Sequence, residues 1–132
     1  RDLDEAGKRL RTVAESSRDP ELRLIAQSRL ARVLSEQGKH DEALKLLDVA
    51  TAGSFTPVFH EIRGDVLAAK GDVAGARQAY DAALAATASV QAQAFDREYV
   101  ELKRDALPAT VAAAAAAAAA PSADAPVAGA KP

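Results

Sequence analysis

The sequence predicts an all-α protein built as a right-handed stack of antiparallel helix pairs. The first observation is an internal repeat of 33 residues, in which Gly38 aligns with Gly71 and Ala43 aligns with Ala76. The second is composition: Ala and Leu dominate and aromatic residues make up only 4%, which favours closely packed helices over sheets. A fixed period of about 20–50 residues indicates stacked repeats, and such stacks present long surfaces that hold other proteins.

Apolar residues that recur at spacings of three and four predict six helices. Asp19 is the expected N-cap of the second helix, and Pro20 its first residue, where the missing N–H costs nothing. Gly38 and Gly71 are expected to end the second and fourth helices in the left-handed conformation. We expect the six helices to span about 2–17, 20–37, 40–52, 56–70, 73–87 and 89–107.

The apolar stripe of each helix is expected to face its neighbours. Ala50 aligns with Ala83 across the repeat, so both are expected inside the stack, and Leu22 begins the stripe of the second helix. The sixth helix is otherwise charged, and its single stripe is typical of a terminal cap. That stripe consists of Phe95, Tyr99, Leu102 and Ala106.

Composition excludes several functional classes. The chain has 132 residues, a net charge of −2 and no Cys, so disulfides, cysteine nucleophiles and thiolate metal sites are excluded. No basic run marks a nucleic-acid surface. His40 and His60 have no second ligand at metal spacing and are expected on the surface. We therefore expect no enzyme activity, no cofactor and no metal.

Residues 108–132 form a tail with nine consecutive alanines and four prolines. Although Ala is the best helix former, an isolated helix of that length is marginal in water. We expect a disordered low-complexity segment.

The paired segments resemble the tetratricopeptide repeat. The resemblance rests on Gly in the turn of each pair, an acidic residue before the second helix, and small residues where helices touch. The first full repeat shows Leu30, Ala31, Leu34, Gly38, Asp41, Glu42, Ala43, Leu47 and Ala50, and the second shows Gly64, Leu67, Gly71, Asp72, Ala76, Tyr80 and Ala83. The expected domain covers 1–107, with a half repeat at 1–17, repeats at 20–53 and 56–88, and a capping helix at 89–107.

Three stretches, at 29–34, 61–72 and 102–107, resemble the ancillary SecYEG translocon subunit family. The resemblance implies an inner-membrane protein with one N-terminal transmembrane helix and this domain in the periplasm. Its implied partners are the translocon and periplasmic folding factors. Because the chain opens on Arg1 and has no Met, we expect a fragment whose upstream part carries the anchor.

In that repeat family the first helix of each pair lines a groove. The resemblance implies a groove lined by Ser28, Arg32, Ser35, Glu36, Glu61, Asp65, Ala68 and Ala69. The alternative is a solvated helix face on which Arg32 and Asp65 form weak ion pairs. Two other functions stay open: a soluble or lipid-anchored scaffold for envelope or pilus assembly, and a regulatory module attached to an enzyme.

Overall fold

The computed structural model describes residues 2–87 and 95–109. These residues form six α-helices and two short 3₁₀ helices, and contain no strand. The α-helices are α1 (Asp2–Ser16), α2 (Pro20–Glu36), α3 (His40–Leu46), α4 (Thr56–Lys70), α5 (Val73–Ala86) and α6 (Arg97–Asp105). The 3₁₀ helices, Val49–Thr51 and Gly53–Phe55, join α3 to α4. The predicted all-α helical stack is confirmed. Residues 110–132 of the predicted tail lie outside the described residues.

Local signals set the ends of α2 and α4 where the sequence predicts them. The Asp19 carboxylate accepts hydrogen bonds from the backbone N–H groups of Glu21 and Leu22, so it is the N-cap of α2. Gly38 has φ of 79° and Gly71 has φ of 94°. This left-handed conformation lets the chain reverse directly after each helix, and L side chains rarely adopt it.

The third helix is shorter than predicted. It ends at Leu46, because the carboxylate of Asp48 accepts a hydrogen bond from the N–H of Ala50 and begins a 3₁₀ helix instead. The turn places Ala52 in the core and leaves Ala50 exposed. The predicted burial of Ala50 is therefore wrong, although its repeat partner Ala83 is buried.

The sixth helix also departs from the prediction. Residues 95 and 96 are not helical, and α6 begins at Arg97 with the Asp96 carboxylate as its N-cap. The predicted residues 89–94 lie outside the described part of the chain. The predicted inward stripe is wrong, because Tyr99 and Leu102 are 52% and 65% exposed while Val100 is fully buried. Ala106 is also exposed, and of the four only Phe95 packs against the core.

Small residues bring the helices together at both repeats. Ala43 of α3 and Ala76 of α5 are both 0% exposed. Two apolar clusters result: one around Leu30, Phe59 and other residues of α2, α3 and α4, the other around Tyr80, Val100 and other residues of α5 and α6. Leu22, which was expected inside, is 45% exposed near the start of α2.

Candidate functional site

The predicted groove residues come from α2 and α4, the first helix of each pair. Arg32, Ser35 and Glu36 of α2 and Asp65 of α4 line one shallow depression of about 190 Å³ between the two helices. Its base is formed by Ile62 and Val66, whose side chains are almost entirely buried. The depression therefore has a polar, mixed-charge rim above the apolar core of the stack.

One ion pair crosses this depression. Arg32 Nη1 donates to Asp65 Oδ2 over 3.1 Å. The two residues occupy the same position of successive repeats, 33 residues apart, so the repeat itself places opposite charges on facing helices. About half of the Arg32 side chain remains exposed, which leaves guanidinium donors available to a partner.

Lys103 of α6 binds both acidic α4 residues of the predicted groove. Its Nζ donates to Glu61 Oε2 over 2.8 Å and to Asp65 Oδ1 over 2.7 Å. Glu61 is only 7% exposed, and a buried carboxylate needs such a cation because removal from water is costly. The predicted groove residues Glu61 and Asp65 are therefore already engaged by the chain's own last helix.

Two tyrosine rings complete this cluster. Lys103 Nζ lies 4.6 Å from the centroid of the Tyr99 ring and 5.5 Å from that of Tyr80, within the range of cation–π attraction. The Tyr80 hydroxyl donates to Asp65 Oδ1 over 2.7 Å. Burial, followed by the hydrogen bond to Asp65, raises the pKa of Tyr80 well above its ordinary value of 10.0.

Comparison with known proteins places the chain in a family. The family described as a tetratricopeptide repeat-like domain matches residues 1–109. The chain belongs to this family. It is similar to the ancillary SecYEG translocon subunit of Escherichia coli, with 33% identity over 61% of the chain and 39% of the relative. It is also similar to the ancillary SecYEG translocon subunit of Neisseria gonorrhoeae, with 33% identity over 79% of the chain and 48% of the relative.

The chain thus spans less than half the length of the two curated relatives that it matches. No solved structure matches it significantly. In the part of the chain that the structure describes, none of the helices is both long and apolar enough to span a bilayer.

The remaining predicted groove residues of this tetratricopeptide repeat-like domain differ in accessibility. Ser28 is buried, and its hydroxyl donates to the carbonyl of Ile25 over 2.7 Å. Ala68 is half-buried against the second apolar cluster, whereas Ala69 is exposed. Among the predicted residues, Arg32, Glu36 and Ala69 offer the most surface to a partner.

The two histidines, His40 and His60, have different surroundings. His40 Nδ1 lies 3.3 Å from the Ser35 hydroxyl at the edge of the groove. His60 is half-buried in α4, and burial, with the nearby Arg63 guanidinium, lowers its pKa. Among residues 2–87 and 95–109, no group of three or more His, Asp and Glu side chains is placed to hold a metal ion.

Sequence reasoning missed Lys103 as a groove residue. The apolar residues of the sixth helix predict the wrong inward face, because polar contacts with α4 and α5 help to orient this helix. Arg104 Nη1 donates to Asp81 Oδ1 over 3.2 Å, and Arg97 Nη1 donates to the Leu84 carbonyl over 3.0 Å. The available signal was the spacing of Val100, Lys103, Arg104 and Leu107, which defines one helix face.

Proposed function

We propose that this domain is a non-catalytic protein-binding module and that its groove between α2 and α4 holds a segment of another polypeptide. The family match supports the proposal, because stacked helix pairs bind partners along an extended surface. The observation that carries it is the depression between α2 and α4, where exposed Arg32 and Glu36 stand above the buried core. Such a mixed-charge rim suits a segment that carries both charges and apolar residues.

We further propose that the protein acts as an ancillary subunit of the SecYEG translocon. Both curated relatives bear that description, and the similarity extends over 81 and 104 residues of this chain. In this proposal the domain lies in the periplasm, and an N-terminal transmembrane helix holds it at the inner membrane. It links the translocon to periplasmic folding factors. The groove residues supply the contact, and no catalytic step is involved.

Site-specific photocrosslinking tests this function. A photoreactive amino acid replaces Glu36, at the exposed rim of the groove, in the full-length protein within its native membrane. We expect crosslinks to a SecYEG subunit or to a periplasmic folding factor. The matched control places the same amino acid at Lys45 on α3, which is exposed and lies outside the depression.

The two positions together decide the outcome. Crosslinks from position 36 that are absent from position 45 support groove binding. Recovery of only cytosolic proteins from position 36 contradicts the periplasmic assignment. Equal crosslinking to the translocon from both positions contradicts the groove as the contact surface.

A further inference from the structure

A second depression lies between α1, α2 and the turn that joins α2 to α3. Its volume is about 240 Å³, and none of its lining residues belongs to the groove between α2 and α4. Lys8 and Arg11 reach it from α1, and Lys39 reaches it from the turn. With Asp4, which also lines the depression, these three cations give its lining a net charge of +2, whereas the whole chain carries −2.

The floor of this basic depression is apolar. Leu30 and Leu34 of α2 form it, and both side chains are buried. Gly7 leaves the space above them open, because it has no side chain. An added Cβ there would lie 3.6 Å from Val33 Cγ1 and 3.9 Å from Leu30 Cδ1. A ligand would therefore meet apolar surface beneath it and cationic heads at the rim.

Two of the three cations lack carboxylate partners among the described residues, and Arg11 pairs only at long range. The side-chain ammonium groups of Lys8 and Lys39 make no hydrogen bond or ion pair with the described residues. Arg11 lies 3.9 Å from carboxylate oxygens of both Glu15 and Glu42, which is beyond hydrogen-bonding distance. Elsewhere in the described residues most basic side chains donate hydrogen bonds, as Arg32, Lys70, Lys103 and Arg104 do.

One carboxylate also lines the depression. Asp4 Oδ1 accepts a hydrogen bond from Gln37 Nε2 over 2.7 Å. This bond ties Asp4 to the end of α2 and does not involve any of the three cations. The depression therefore keeps a surplus of positive charge and unused N–H donors.

We propose that the basic depression binds an acidic side chain of a partner protein, a glutamate or an aspartate with an apolar neighbour in sequence. The carboxylate accepts charge-assisted hydrogen bonds from the rim, and the apolar neighbour covers Leu30 and Leu34. This site is separate from the groove, so the inference does not depend on the function proposed for the groove. The domain thereby has two faces for protein contacts, with different charge preferences.

A titration followed by the amide NMR signals of this chain tests the inference. The probe is the acetylated and amidated peptide Ala-Leu-Glu-Leu-Ala, and the matched control probe carries Gln in place of Glu. We expect saturable shifts at the amides of Gly7 and Leu34 with the Glu peptide. The Gln peptide should bind about ten-fold more weakly, since it loses the charge-assisted bonds. Added salt should weaken the binding of the Glu peptide.

Paired substitutions locate the site. Lys8→Gln with Lys39→Gln should weaken binding of the Glu peptide about ten-fold. Arg18→Gln with Lys45→Gln removes the same charge from two basic side chains that also lack hydrogen bonds but lie outside the depression, and should leave the affinity unchanged. Equal affinity for the Gln peptide, equal weakening by both pairs, or shifts confined to α4 would each overturn the proposal. Tighter binding of a peptide with a free C-terminal carboxylate and no acidic side chain would overturn the choice of a side chain as ligand.

Discussion

Gly64 on α4 faces the Tyr80 ring so closely that an added Cβ would lie 2.5 Å from Tyr80 Cε1. Real Cβ atoms do not approach a ring carbon to that distance, so the absence of a side chain lets α4 and α5 pack and lets the Tyr80 hydroxyl reach Asp65. The close contact between Gly64 and Tyr80 thus serves both the packing of α4 against α5 and the position of the groove residue Asp65.

This contact predicts the effect of Gly64→Ala. We expect the substitution to lower the free energy of unfolding by about 1–3 kcal/mol, because the methyl group overpacks a tight contact. Urea denaturation gives the measurement. Gly7→Ala is the control: the added Cβ meets only ordinary contacts, so replacing a helical glycine should stabilise by roughly 0.5–1 kcal/mol. Equal effects of the two substitutions would show that Gly64 is not a point of close approach.

The Lys103 cluster predicts a stabilising role for this side chain. Lys103→Met should lower the free energy of unfolding by about 1–3 kcal/mol, since it leaves buried Glu61 and half-buried Asp65 without their shared donor. In a Glu61→Gln background, Lys103→Met should lower the free energy of unfolding by less, because only one of the two carboxylates then loses its cation. Lys70→Met removes a cation from an exposed pair with Asp41 and should change stability little. Identical losses for Lys103→Met and Lys70→Met would contradict the distinction.

Arg63 predicts a local effect on α3. Its Nη1 donates to the carbonyls of Leu44 and Leu47. The Leu44 carbonyl also accepts from the Leu47 N–H, whereas the Leu47 carbonyl would otherwise lack a partner among the described residues at the end of a short helix. Arg63→Met should cost about 1–3 kcal/mol and should speed amide hydrogen exchange in α3 more than in α2. The control is Arg29→Met, which removes an exposed guanidinium that donates no hydrogen bond within the described residues. Unchanged exchange in α3 after Arg63→Met would refute the capping role.

The raised pKa of Tyr80 predicts an alkaline transition. Burial and the bond to Asp65 keep the folded phenol protonated above its ordinary pKa of 10.0, whereas the unfolded phenol ionises there. The folded state then binds more protons than the unfolded state, so stability is intact below pH 10 and falls as pH rises further. Because the chain has two tyrosines, a Tyr99→Phe variant reports Tyr80 alone by tyrosinate absorbance. We expect the tyrosinate absorbance of Tyr80 to appear only when the protein unfolds. Ionisation of Tyr80 near pH 10 in the folded protein would contradict its buried hydrogen bond to Asp65.

Much of the fold follows from local rules that the sequence displays. Asp19 begins α2 through its own carboxylate, and Gly38 and Gly71 follow the ends of α2 and α4 in the left-handed conformation. Ala43 and Ala76 mark close approaches that repeat. The end of α3 could not be predicted this way, because it depends on the Asp48 carboxylate and on Arg63 from another helix. Repeat alignment alone assigned Ala50 to the core.

The candidate site was predicted in part. Arg32 and Asp65 share a repeat position, so their pairing across the groove is visible in sequence. The role of Lys103 is not visible in the sequence, because α6 is so polar that its apolar periodicity does not decide which face packs against the other helices. Lys103 and Arg104 orient that helix through their contacts with three carboxylates. Glu61 and Asp65 lie 42 and 38 residues before Lys103, and Asp81 lies 23 residues before Arg104.

Charge reversal at Arg32 tests whether the face between α2 and α4 holds another polypeptide. The full-length protein with Arg32→Glu is purified from its native membrane, and the recovered SecYEG is compared with that from Lys45→Glu, an equal charge change on α3. We expect loss of SecYEG with Arg32→Glu and full recovery with Lys45→Glu, while both proteins keep their helical content. Undiminished recovery with Arg32→Glu would contradict it.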